Sequence, residues 1–133
     1  MSEALTMYVG GRTRTFPLLK VADFERLYSR LRLLQGIPSA VIVTDYDVLL
    51  WAKTQFGSAE IMAASLKRGG EELTPAEVMK WGSMAQRHNI ATETVARSMN
   101  DGEELDPYIA ALAAQGQDNP SPKAESGDPT ALP

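Results

Sequence analysis

Asp45 and Asp47 stand two residues apart, a spacing at which paired carboxylates could share proton transfer. Such a pair works only where its surroundings push the two pKa values apart. Here Thr44 precedes them as a helix N-cap with Asp47 three residues on. The start of a helix favours the ionised form of both carboxylates. His88 is the only histidine, and the chain has no cysteine. A zinc centre would therefore need carboxylate help, and thiolate chemistry is excluded. The pattern places His88-Asn89 at a helix end, where an imidazole meets free carbonyls. Gly10-Gly11-Arg12 and Gly69-Gly70 have the glycines of a phosphate loop, but neither continues into Gly-Lys-Ser/Thr. No catalytic residue, cofactor or metal ligand is assigned, and the chain is expected not to be an enzyme.

Two groups of residues suit contact chemistry instead. Residues 83–99 fit a helix-turn-helix. In it Ala85 permits close approach, Asn89 makes the turn, Ile90 and Val95 seal the angle, and Thr92-Glu93-Thr94 opens a recognition helix. DNA affinity comes largely from cations facing phosphates. This helix offers Arg97 alone, with Glu93 at its base-reading end. A DNA-binding regulator is the alternative reading, and nucleic acid is not the expected partner. Trp51 and Trp81 fall among apolar neighbours at helical spacing and are expected in the core. Met62, Met79, Met84 and Met99 are adaptable side chains that either fill a core or line a groove for varied apolar partners.

The elements that must position these residues are legible. Leu5–Val9 and Arg12–Phe16 are strand-forming runs around Gly10-Gly11, which predicts a β-hairpin. Leu5, Met7 and Val9 share one face of the first strand, and Arg12, Arg14 and Phe16 one face of the second. Pro17 ends the pairing. Val21 to Gln35 repeats apolar residues at helical spacing (Val21, Phe24, Tyr28, Leu31, with Leu27 and Leu34) and stops at Gly36. Ser39 to Val43 reads equally as a short strand or a helix entry. Thr44 caps a helix expected to run through Phe56 and end at Gly57. Ser58 caps the next, with Ile61, Met62, Ser65 and Leu66 on one side and Lys67-Arg68-Gly69-Gly70 at its end. Leu73-Thr74-Pro75-Ala76-Glu77 has a cap, a first-position proline and a capping-box glutamate. It opens a helix on which Val78, Trp81 and Ala85 face one way. A turn at Asn89, a shorter helix from about Thr92 to Met99, and a last turn or two from Asp106-Pro107 to Ala114 complete the domain, residues 1–114. Residues 115–133 have almost no apolar side chain to bury and are expected to be a disordered tail. The fold class is α+β, an N-terminal hairpin packed on a mainly helical bundle.

The net charge is −4 over 133 residues. It is unevenly spread, with Arg12, Arg14, Lys20, Arg26, Arg30 and Arg32 near the start and a mainly acidic stretch after Gly70. Opposite ends of this kind orient partners or stack identical subunits into a homo-oligomer. No apolar run is long enough for a bilayer, so no membrane partner is expected. Ser2-Glu3-Ala4 opens unlike a secretory leader, and the lack of cysteine fits a reducing cytoplasm.

The hairpin with its Arg-Thr-Phe-Pro-Leu exit, followed by an Asp-Phe-Glu-Arg-Leu helix, resembles the tail assembly chaperones of long-tailed bacteriophages. Leu66-Lys67-Arg68-Gly69-Gly70 followed by Leu73-Thr74-Pro75-Ala76-Glu77-Val78 is similar to the corresponding passage of gene transfer agent chaperones. The resemblance covers roughly residues 5–100 and leaves Ile37 to Asp47 unmatched. It implies a small non-enzymatic protein that engages the tape measure protein, and the tail tube protein as well, in the host cytoplasm and is not retained in the mature virion. A structural virion subunit of the neck or baseplate is a further alternative. For partner binding, Tyr8, Arg12 and Arg14 of the hairpin are the first candidates, because a strand edge and cations on it are easily left exposed. Neither arginine is expected in the core. Met62 and Met79 follow as groove residues.

Overall fold

The computed structural model describes residues 3–101. Two strands lead, β1 (Leu5–Val9) and β2 (Arg12–Phe16). Five helices follow: α1 (Val21–Gln35), α2 (Asp45–Trp51), α3 (Gln55–Arg68), α4 (Pro75–Val78) and α5 (Met84–Asp101). The class is α+β with the hairpin at the N-terminus, as the pattern predicts. The expected turns over 106–114 and the tail from 115 lie outside the described residues.

Gly10 and Gly11 both have positive φ, 65° and 89°, which a two-residue hairpin turn demands. The register pairs Val9 with Arg12, Met7 with Arg14 and Leu5 with Phe16. All six side chains therefore lie on the face turned to the helices, and Val9, Arg14 and Phe16 are buried there.

Helix α3 is the hub. It packs against α5, α4, α1, β2 and α2. A helix touched from so many sides must be apolar nearly all round. Gly57, Ser58, Ala59, Ile61, Met62, Ala63, Ser65 and Leu66 are all buried. Helix α5 contributes Ile90, Ala91 and Val95 to the same core, and α1 contributes Phe24, Leu27 and Leu31. Polar ties fix the layers. Ser65 Oγ donates to Pro17 O at 2.7 Å, and Leu19 N donates to Ser98 Oγ at 2.8 Å. Buried Asp23 accepts from Arg26 at 2.6 Å and from Arg68, joining the start of α1 to the end of α3.

Three boundaries differ from the sequence expectation. Helix α2 stops at Trp51, and Phe56 and Gly57 belong to α3. Thr54 is the cap, its Oγ1 accepting from Gly57 N at 3.0 Å, while Ser58 is buried inside the helix and donates to Gln55 O. Gly57 is not a stop; it lets α3 approach the carbonyl end of α2. Helix α4 is a single turn, and Gly82 at φ 53° separates it from α5, so Val78 and Ala85 share no helix. Helix α5 then runs without interruption through Asn89. The turn that a helix-turn-helix needs at Asn89 is absent. Ser39–Val43 is neither strand nor helix.

The Thr74 box forms as expected. Thr74 Oγ1 accepts from Glu77 N at 3.2 Å, and Glu77 Oε1 accepts from Thr74 N at 2.8 Å. Thr74→Ala is expected to lower stability by about 1 kcal/mol through loss of this cap. Chemical denaturation checks it, and an unchanged midpoint would remove the cap's role.

Candidate functional site

Gly36, at φ 65°, ends α1 in the left-handed conformation, and Ile37 N donates to Arg32 O at 3.0 Å. Pro38 O then accepts from Val41 N at 3.0 Å and from Arg32 Nη1 at 2.9 Å. This pinned turn carries Val41 and Ile42 outward, 48% and 81% exposed, before Val43 tucks in. Thr44 and Asp47 start α2 with a reciprocal cap, Thr44 N donating to Asp47 Oδ2 at 2.9 Å. Leu50, 53% exposed, projects from α2. Between the end of α1, the turn and α2 lies a groove of about 330 Å³, floored by buried Leu31 and Trp51 and lined by Val41, Ile42 and Leu50. Leu33, Leu34 and Tyr46, on the same two helices, are exposed as well. Val41, Ile42 and Leu50, apolar side chains left in water around one groove, mark a candidate contact surface.

A second cluster joins the hairpin to the α3 exit. Glu71 accepts from Arg12 Nη2 at 2.7 Å and from Arg14 Nη2 at 3.0 Å. The hydrogen bond from Arg14 is the main force that holds the Glu71 carboxyl below the ordinary glutamate range, with Arg12 adding to it against partial burial. Arg14 also donates to Gly10 O at 2.8 Å and to Val9 O, and its guanidinium lies 4.1 Å from the centre of the Trp81 ring.

These positions change the standing of the sequence candidates. Tyr8 is exposed, but on the hairpin face opposite Arg12 and Arg14. Arg12 is exposed and Arg14 is not, although both share the face of Phe16: Trp81 and the turn carbonyls cover Arg14, while Arg12 lies at the end of the strand beside the turn. Met62 is wholly buried in α3 and lines no surface. Met79 is half-buried, its sulfur 3.7 Å from Gln55 Nε2. Glu71 joins Arg12 to Arg14; the five candidates do not form one surface. Trp51 is core as expected, whereas Trp81 is half-buried over Arg14. The groove residues Val41, Ile42 and Leu50 escaped the sequence reading. For Val41 and Ile42 the only signal was an apolar run after Pro38 with no periodicity to place it, and Leu50 was one apolar residue of a predicted helix.

The titratable groups first considered for chemistry sit in two helices, Asp45 at the start of α2 and His88 in α5. Burial pushes the Asp45 carboxyl up, outweighing the helix start that was expected to lower it, and its Oδ2 has no partner among the described residues. His88 lies within α5 rather than at a helix end, its Nε2 buried and unpartnered among those residues. No group of three or more His, Asp or Glu suited to a metal ion occurs among the described residues. None of the described helices is long and apolar enough to cross a membrane. No family model, curated protein or solved structure matches the chain.

Proposed function

We propose that this protein is a tail assembly chaperone of the long-tailed phage or gene transfer agent type. It keeps apolar helical segments of the tape measure protein in solution by contact, without enzymatic chemistry, and meets the tube protein in the same complex. The observation that carries the reading is the groove between α1 and α2, where Val41, Ile42 and Leu50 stand in water over Leu31 and Trp51. An amphipathic helix recognises such a surface by laying an i, i+3, i+4 apolar stripe along it. The resemblance of residues 5–100 to the chaperone pattern supports the same partner. The alternative of DNA reading by residues 83–99 loses its support, since one continuous helix spans Asn89.

The test is co-expression with the tape measure protein encoded nearby. Wild type is expected to hold an otherwise insoluble tape measure segment in the soluble fraction. Ile42→Asp with Leu50→Asp is expected to lose most of that effect while melting like the wild type, because both side chains are already exposed. No solubilisation by wild type rejects the chaperone reading. Equal solubilisation by the double variant moves the site away from the groove. Retention of the protein in purified particles favours a structural virion subunit.

A further inference from the structure

We infer that the outer edge of β2 is a strand-addition site for an acidic, extended segment of a partner protein. The inference stands independently of the groove and of the tail reading. Its basis is the hairpin register. In a two-residue hairpin the residues flanking the turn exchange both backbone hydrogen bonds, and hydrogen-bonded and open pairs then alternate. Val9 and Arg12 flank the turn, so Met7–Arg14 and Leu5–Phe16 are bonded pairs and Tyr8–Thr13 and Thr6–Thr15 are open. The 3.1 Å contact between the Thr6 and Thr15 hydroxyls fits an open pair, where side chains come closer. The N–H and C=O of Thr13 and Thr15 therefore point away from β1.

The two edges of the hairpin differ. On β1, the outward carbonyl of Tyr8 accepts from Gln86 Nε2 of α5 at 3.2 Å, so α5 occupies one of the outward acceptors of that edge. On β2, no described residue bonds the outward groups of Thr13 or Thr15. Beside them lies an open trough of about 380 Å³, walled by Arg12–Thr15 on one side and by Leu66 and Gly69–Glu71 on the other. Gly70, at φ 94°, turns the chain at the far wall, and an added side chain there would meet nothing within 4 Å. A short extended segment entering the trough finds two free donors and two free acceptors at strand spacing.

Charge selects the occupant. Arg12 and Arg14 share the single carboxylate of Glu71, which leaves a net positive charge along the strand. A second copy of this chain is a poor occupant. Antiparallel pairing of β2 with itself about Thr13 sets Arg12 opposite Arg14, and pairing about Arg14 sets that arginine opposite itself. Like charges directly opposite destabilise a ladder. An acidic strand instead sets carboxylates opposite the arginines.

The probe is a short, end-blocked peptide alternating valine and glutamate, added to the full chain. A lysine-for-glutamate version and a version N-methylated along one edge serve as controls. The expected result is slowed amide exchange at Thr13 and Thr15, with exchange at Met7 and Arg14 unchanged. The glutamate peptide should bind about tenfold tighter than the lysine version at low salt, the gap narrowing as salt rises. The N-methylated version should not bind. Thr15→Pro, which removes an outward N–H and no ladder bond, should weaken binding; exchange on the wild type decides the matter if that variant does not fold. Ile42→Asp with Leu50→Asp should bind the peptide like wild type, which separates this site from the groove. Absence of protection at Thr13 and Thr15 at saturating peptide overturns the inference, as does equal binding of the lysine peptide. Protection already present in a free dimeric protein also overturns it, by showing a second copy on the edge.

Discussion

Gly57→Ala is expected to cost about 3 kcal/mol or more, although alanine is the better helix former by about 1 kcal/mol. A Cβ at this position would fall 1.9 Å from the carbonyl oxygen of Trp51 and 2.7 Å from its carbonyl carbon. Those are backbone atoms, and no rotamer change can clear them. The elbow between α2 and α3 would have to open. Trp51, buried at the floor of the groove, would move with it. Gly69→Ala is the control, since its Cβ would meet Pro17 Cγ at 3.1 Å and its φ is −85°. Its effect should be small. Urea denaturation of both variants decides the point. Wild-type stability or better for Gly57→Ala would mean that the elbow is not held by close backbone approach.

Arg14→Lys is the second large effect, expected at about 2–3 kcal/mol despite the retained charge. The guanidinium of Arg14 donates to two turn carbonyls and to Glu71 while stacking on Trp81. A lysine ammonium has three donors around one point and no flat face. It cannot reach the turn and Glu71 together, nor replace the stacking. Arg12→Lys, at an exposed side chain, should change stability by about 0.5 kcal/mol or less. Thermal melts followed by circular dichroism make the comparison. Equal, small losses would show that Arg14 serves only as a charge. It follows that reversing both arginines would unfold the hairpin rather than test a binding surface.

Local chemistry was readable where it decided structure alone. The Gly-Gly turn with its flanking alternation showed the hairpin and which residues share a face of each strand, and the apolar spacing with Gly36 bounded α1. The Thr44 and Thr74 caps were visible as short polar patterns. The failures share a cause: a residue's role depended on a neighbour distant in the chain or in another element. Gly57 looks like a stop until Trp51 is placed against it. Asn89 looks like a turn, but its side chain is exposed on a long helix and does not oppose it. The shared face of Arg12, Arg14 and Phe16 was legible. That Arg14 would be covered was not, because Glu71 and Trp81 lie some 57 and 67 positions later. The groove was hidden because Val41 and Ile42 are apolar residues that fail to be buried, and sequence alone reports only that they are apolar.

The ties between the two ends of the described chain bear on its synthesis. Glu3 O accepts from Arg97, Tyr8 O from Gln86, and Leu19 N donates to Ser98. Each joins residues made early to residues made 78 to 94 positions later. During translation the hairpin emerges with Val9 and Phe16 uncovered, and α3 emerges without the helix that covers its largest face. Neither can be sealed until α5 has left the ribosome. The nascent chain thus passes through an interval in which its strands and hub helix are open to wrong partners, and its folding should complete late, in one step, when α5 closes the core.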